Sequence, residues 1–509
     1  MGKRKSANSV AKSAALLSLL TIGIKAIGFI KQAIISYYFG TTGQMDSYLV
    51  VTDFVSEIGM MFFSSIAITL IAIYDEEKGD KNRKNEFVSN AFTGLVIFSI
   101  VLSALVCLFA RPILGLLAPG FSADMLQDAV GKLRIIAILL INICISNICI
   151  ALLNAEKRFV IAKSIGLIQS ACIITACIFF EKKLGITALY YGFGAFYLIE
   201  NIFLLFNVRN IFLYRIENPF KDKRVLRLIR NSIPLFISSS IVQINAMIDK
   251  SIASNLEAGN VSGMSYGNFV FSTIHSIIIA SITTVLYSYF SDYMAEKNEE
   301  AIVQKSTSSL HLMIVILTPI CICCCVCSAD VIRLIYGRGS FGENAITVTS
   351  GAFLGYSVGL LFIAVRDLLL QVLYAYQKTK IAMINGGIGV VVNVAASLIL
   401  SKFIGVFGIA LADSMAYAVL VFISYKSVLR ILPEIKNIFS RKDLVTIGVS
   451  FMIVLGATIL INTLLSGIFF LFRLAISGVV AFGLYYALMI VFKHESIVYI
   501  KGVIKRNNQ

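Results

Sequence analysis

The chain has 509 residues, 58% of them hydrophobic and 14% charged, with a mean hydropathy of +0.87 and a formal net charge of +16. Apolar runs of about 18 residues or more recur along the whole length, which excludes a soluble globular domain; a β-barrel would instead show alternating segments of about ten residues. The basic residues sit in short connections between apolar runs, so the charge reports membrane orientation and not a nucleic-acid partner.

The amino end, MGKRKSANSVAK, leads into an apolar run that is too long for a signal peptide, is broken by Lys25 and lacks a small-residue cleavage site, so it reads as a retained first span. This stretch, Ala14 to Gly40, also carries Lys31. A lysine inside a span costs about 2.5 to 3.5 kcal/mol unless it snorkels, pairs with an acid or meets a water-filled cavity. Lys25 lies too deep to snorkel with ease, and two wetted cations suit an anionic substrate.

Counting apolar runs predicts an all-α polytopic membrane protein of about fourteen transmembrane helices, beginning near residues 14, 47, 89, 133, 164, 186, 231, 264, 308, 345, 381, 404, 444 and 470. The even-numbered connections are basic, with Lys78, Lys81, Arg83 and Lys84 in one and Lys221, Lys223, Arg224, Arg227 and Arg230 in another. The opposite connections, such as GTTGQM (Gly40 to Met45) and LEAGNVSG (Leu256 to Gly263), lack lysine and arginine. The asymmetry places both termini in the cytoplasm, with Lys493, Lys501, Lys505 and Arg506 closing that side.

An internal repeat follows. At an offset of 218, Ile30, Ile34, Ser36, Ser47 and Tyr48 fall on Ile248, Ile252, Ser254, Ser265 and Tyr266; at 220, Leu153, Ala155, Ile161, Ala162, Gly166 and Gly185 fall on Leu373, Ala375, Ile381, Ala382, Gly386 and Gly405. Six spans separate equivalent points, so the repeat is parallel. It predicts a six-helix N-lobe over 1–215, a six-helix C-lobe over 216–430, and two further helices with a tail over 431–509.

Ionisable residues inside spans mark a cavity lining by default. Besides the two lysines these are Asp46, Asp53 and Glu57 in the second span, Glu200 in the sixth, Asp249 and Lys250 in the seventh, Arg366 and Asp367 in the tenth, Asp413 in the twelfth and Arg473 in the last. Members of adjacent pairs point about 100° apart, so each is expected to pair with another helix. Asp53 and Glu57 share a face, and in the bland reading that acidic stripe neutralises Lys25 or Lys31. Five cysteines in CICCCVC (Cys321 to Cys327) read as small packing hydrophobes, and His275, His311 and His494 are too scattered for a metal site. The glycines of NGGIGVVVN (Asn385 to Asn393) read as close helix packing. No catalytic arrangement is present in the sequence, and an enzyme is not expected.

Several segments resemble the MurJ/MviN family, the lipid II flippases of the MOP transporter superfamily. They are IGFIKQAIISYYFGTTGQMDSY (Ile27 to Tyr48), LLAPGF (Leu116 to Phe121), LLNAEKRF (Leu152 to Phe159), QINAMIDKSIASNLEAGNVSGMSY (Gln243 to Tyr266) and VIRLIYGRGSF (Val331 to Phe341). The resemblance implies a two-lobed fold with a central cavity and alternating access. It also implies translocation of an undecaprenyl-diphosphate-linked oligosaccharide, lipid II or a related glycan unit, across the bacterial cytoplasmic membrane. It places family arginines at Lys25 and Lys31 and an aspartate at Asp46, while a further family arginine pair falls near Gly59 and Met60, and a family arginine and acid fall at Phe269 and Ser272; those charges are absent. Some members bind sodium at positions matching Asp249 and Asn393, with a second acid where this chain has Ser397. The expected substrate-binding residues are therefore Lys25, Lys31, Asp46, Asp53 and Gln243; the expected ion-coupling residues are Asp249 and Asn393, serving sodium or a proton, with no other cofactor. Membrane lipids and glycan synthesis enzymes are the expected partners. Two other readings fit parts of the pattern: a MATE-like cation-coupled antiporter, from the acids at Asp46, Asp53 and Asp249, and a non-transporting scaffold for glycan synthesis, from the missing arginines.

Overall fold

The computed structural model describes residues 2–77, 79–215, 218, 222–438 and 441–492. Lys78, Lys221 and the tail residues Lys493, Lys501, Lys505 and Arg506, counted above as cytoplasmic charges, lie outside them. Among the described residues the chain is helical, without strands. It forms two compact units, one running to Ser262 and including Arg338–Phe341, the other covering Gly263–Gly337 and the chain from Gly342 onward.

In the first unit, α1 (Gly2–Phe39) is followed by α2 (Gly43–Gly59), which runs through the π-helical turn Met60–Ser64 into α3 (Ser65–Glu76). Then come α4 (Lys81–Leu108), α5 (Ala110–Leu117), α6 (Ala123–Ile136), α7 (Leu139–Ala155), α8 (Phe159–Leu184), α9 (Thr187–Val208) and α10 (Lys223–Ser254). Helix α11 (Asn260–Ala295) opens in the first unit and continues in the second from Gly263; the second unit also holds α12 (Glu299–Val326), α13 (Ser328–Tyr336), α14 (Glu343–Val358), α15 (Leu360–Ala375), α16 (Thr379–Leu429), α17 (Arg441–Leu464) and α18 (Phe470–Val491).

Eleven helical stretches are long and apolar enough to span, and two bent pairs, α6 with α7 at 44° and α14 with α15 at 45°, raise the count to 13. At 1.5 Å per residue, the 51 residues of α16 would reach about 77 Å, more than twice a hydrocarbon core of about 30 Å. Its backbone breaks at Ile404 and Gly405, making two spans that begin where the sequence pattern places them. Fourteen candidate crossings result among the described residues.

The backbone repeats at the offset found in the side chains. Gly185 and Gly405 share φ of 55° and 58° with ψ of −139°. Lys157 and Gln377, also 220 apart, have φ of 60° and 56°, a left-handed turn that non-glycine residues seldom adopt. The two bent pairs occupy corresponding places as well.

The expected lobe boundary at 215 and 216 follows the repeat, whereas the contact boundary falls after Ser262 because α10 is fastened to the helices before it. Asp222 caps α10 and accepts from Arg224 N at 2.9 Å and from Asn90 Nδ2 at 3.0 Å, while Arg224 also reaches Glu86 at 3.1 Å. At the other end, Ser251 Oγ donates to Leu116 O at 2.8 Å.

The segments that resemble the family supply the close approaches between connections. Gly339 (φ +61°) lies so near Tyr37 that a Cβ would sit 2.4 Å from Tyr37 O, and Ser340 N donates to that carbonyl at 2.8 Å. Gly259 (φ +95°) packs on Thr41 in the same way, its Cβ position 2.8 Å from Thr41 O. Glycine is required at both places by backbone angle and by space.

In the second unit, Val315, Ile322, Val454, Ala481, Tyr485 and Met489 form a core of α12, α17 and α18. The CICCCVC run lies on this helix: Cys321 Sγ donates to Ser357 O at 3.3 Å and Cys327 faces Asn462. Gly389 abuts Leu420, where a Cβ would stand 2.7 Å from a methyl group.

Two outcomes follow. Gly389→Leu overpacks the contact with Leu420 and costs about 1–3 kcal/mol, read as a lower Tm in detergent. Burial alone would push the Asp222 carboxyl up, but its hydrogen bonds with Arg224 and Asn90 outweigh that and hold it below the usual 3.8. A lowered native value adds stability that is complete above the unfolded value of about 3.9 and is lost as pH falls through the native one. Acid unfolding of the wild type should therefore show a loss below about pH 4 that Asp222→Asn lacks.

Candidate translocation site

Lys25 is exposed on α1 and Lys31 is half-buried. Six helical residues separate them, about 9 Å along the axis and about 120° around it, so the two ammonium groups do not form one stripe. Asp53 acts on Lys31 as an attractive charge, whereas no acid pairs with Lys25 among the described residues. Helix α1 packs on α8, where Gly166 abuts Ile24 and Lys163 Nζ donates to Thr21 Oγ1 at 3.4 Å.

The acidic stripe of α2 has its closest cation elsewhere. Lys250 of α10 lies 3.0 Å from Asp53 Oδ2 and 2.7 Å from Glu57 Oε1. Two carboxylates around one ammonium leave a negative excess, and Glu57 Oε2 has no hydrogen-bond partner among the described residues. Glu57 and Lys250 line a cavity of about 10 Å³, room for one water-sized molecule.

Asp46 is buried, and its two oxygens accept from Gly259 N at 2.6 Å and Ser262 N at 2.7 Å. These amides open α11, an N-terminus that favours a carboxylate through its unpaired N–H groups and its dipole. The geometry makes Asp46 a cap. Gln243 is half-buried on α10, two turns before Lys250.

The expected ion residues fall in separate units. Asp249 is buried in the first, where Asn245 Nδ2 donates to it at 3.2 Å. Asn393 is buried in the second and donates from Nδ2 to Asp413 Oδ1 at 2.6 Å, while its Oδ1 has no hydrogen-bond partner among the described residues. Asp413, conspicuous in the sequence only as an acid in an apolar run, is thus the carboxylate beside Asn393; Ser397 stands one turn further along α16.

Arg366 departs from the expectation that adjacent charges seek other helices. Its Nη1 donates to neighbouring Asp367 Oδ1 at 2.8 Å, because a guanidinium stem is long enough to fold back, and Asp367 Oδ2 meets His275 Nε2 at 2.8 Å. Arg473 Nε donates to Asp330 Oδ2 at 2.7 Å, tying α18 to α13. Gln44, Ser47, Asp128, Lys132, Thr187 and Tyr190 line a cavity of about 290 Å³, with Lys132 Nζ donating to Thr187 Oγ1 at 3.3 Å. These six lie on several elements, and no sequence pattern groups them.

Fourteen candidate crossings among the described residues, with charge pairs between spanning helices, define a multi-pass membrane protein. Residues 35–493 match the family described as "Lipid II flippase MurJ". Relatives named "Probable lipid II flippase MurJ" include one from Rickettsia prowazekii, 26% identical over 415 residues with 80% of this chain and 81% of that one covered. Another, from Helicobacter pylori, is 27% identical over 359 residues, covering 65% and 77%. A solved structure described as "Lipid II flippase MurJ, inward closed conformation" superposes with a TM-score of 0.82 at 22% identity, covering 95% of this chain and all of that one. An inward-facing multidrug resistance MATE transporter of the MOP superfamily gives 0.60 at 12% identity, covering 80% and 99%. The chain belongs to the MurJ lipid II flippase family.

Asp46→Ala should cost about 1–3 kcal/mol by leaving two amides unpaired, and hydrogen exchange at Gly259 and Ser262 should speed up while Asn393 and its surroundings keep their protection. Lys250→Met leaves two carboxylates unpaired and should lower stability by about 1–3 kcal/mol; adding Glu57→Gln should recover part of that loss in thermal unfolding.

Proposed function

We propose that the chain carries lipid II, or a closely related undecaprenyl-diphosphate-linked glycan unit, across the bacterial cytoplasmic membrane by alternating access, with both termini in the cytoplasm. The observation that carries this reading is the match over residues 35–493 to one flippase family, on a fold shared with a solved member. In this reading Lys25 and Lys31 supply positive charge to the diphosphate. Lysine acts on phosphate as a point charge and lacks the two-pronged fork of arginine, so the contact is electrostatic more than geometric. Lys25 suits the role because no acid neutralises it among the described residues and its place within a span demands an anionic or aqueous neighbour. Asp53, shared between Lys250 and the field at Lys31, tunes that charge; Gln243 offers a neutral amide to the glycan; Asp46 is a positioning residue through its cap on α11.

Coupling falls to Asp249 and Asn393 in this proposal. The unpaired Asn393 Oδ1 beside Asp413 is an oxygen donor set that fits a monovalent cation. Sodium bound there would neutralise Asp413, while Asn393 orients that carboxylate. Glycan synthesis enzymes on the cytoplasmic side are the partners that would supply the substrate.

The test is complementation of a bacterial strain depleted of its own lipid II flippase. Wild-type chain should restore growth, Lys25→Ala and Lys31→Ala should fail at equal membrane abundance, and Lys25→Arg and Lys31→Arg should succeed. Growth with both alanine variants would overturn the role given to the lysines.

A further inference from the structure

Glu200 lies in the middle of the spanning helix α9 and is 3% exposed. Its Oε2 has no hydrogen-bond partner among the described residues. The Ser146 hydroxyl on α7 acts on the carboxyl as a neighbouring hydrogen-bonding group. Ser146 Oγ donates to Asn201 Oδ1 at 2.7 Å, and Asn201 Nδ2 donates to Asn142 Oδ1 at 2.7 Å.

A hydroxyl has one proton to give. With that proton spent on Asn201, Ser146 can only accept from Glu200, which requires the protonated carboxyl. Turning over both amides reverses the chain: Asn142 gives to Asn201, Asn201 gives to Ser146, and Ser146 gives to an ionised Glu200. Amide oxygen and nitrogen are nearly alike in outline, so both directions fit the same heavy-atom positions.

The groups facing Glu200 do not neutralise it. From α7 comes the Cys149 thiol, and from its own helix the Tyr197 phenol one turn earlier. Ser56 and Asp53 of α2 reach Tyr197. Helix α8 carries its charged residues, Lys163 and Glu181 to Lys183, near its two ends, and α6 offers Lys132 at Thr187, more than three turns away. A buried carboxylate in a spanning segment without a basic partner is strongly disfavoured, and a bound proton is the smallest species that removes the charge.

We propose that Glu200 is a proton-binding site of the first unit, exchanging its proton with water, and that the hydrogen-bond chain formed by Ser146, Asn201 and Asn142 turns over to suit the neutral or the ionised carboxyl. The site gives the first unit a titratable element of its own.

Infrared difference spectroscopy of the full chain in sodium-free proteoliposomes tests this. The wild type should show a protonated-carboxyl C=O band near neutral pH that Glu200→Gln lacks and that Ser146→Ala shifts in frequency. An identical band in Glu200→Gln overturns the proposal, and loss of the wild-type band on adding sodium at fixed pH overturns the assignment to a proton. A second arm rests on the flippase reading: lipid II translocation by the wild type should change by about tenfold per pH unit along the limb where one group titrates, and Glu200→Gln should flatten that limb. The infrared arm needs no transport, so failure of the flippase reading and failure of this site are told apart.

Discussion

The cost of a charge in hydrocarbon governs this structure. A spanning helix can carry an ionisable side chain only if a partner, water or a proton cancels most of that cost. Most such residues meet the requirement by pairing: Asp53 and Glu57 with Lys250, Arg473 with Asp330, Asp367 with Arg366 and His275. Lys25 and Glu200 Oε2 do not meet it through a pair among the described residues, and they are therefore the places where substrate or proton chemistry has a physical opening.

The same constraint explains why the connections are built as they are. Irregular backbone must satisfy its own N–H and C=O groups or borrow partners. In the first unit it borrows from neighbouring connections: Ser340 gives to Tyr37, and Asp46 takes the two amides that open α11. Glycines at 259 and 339 permit the approach. Tyr37, Asp46, Gly259, Ser262 and Ser340, which make these contacts, all lie in segments that resemble the family.

Two departures from the pattern that the resemblance implies keep their charge nearby. An acid is absent at Ser397, yet a carboxylate stands beside Asn393 because Asp413 arrives from the other half of α16. Lys25 and Lys31 keep positive charge where the resemblance places arginines, losing the fork but not the field.

How much of this was legible in the sequence depends on whether the governing physics is local. Hydrophobic run length and turn residues act over a few residues, so the fourteen crossings, the break at Gly405 and the repeat at 220 could be read directly; the matched angles at Gly185 and Gly405 are local consequences of glycine. Charge pairing acts across helices and depends on rotation and depth, which no spacing rule supplies. The sequence showed an acidic stripe on α2 and a set of cations, and only packing decided that Lys250, not Lys25, sits between Asp53 and Glu57. It likewise showed Asp46 as a charge in a span, while the fold decided that both oxygens close on the backbone of Gly259 and Ser262.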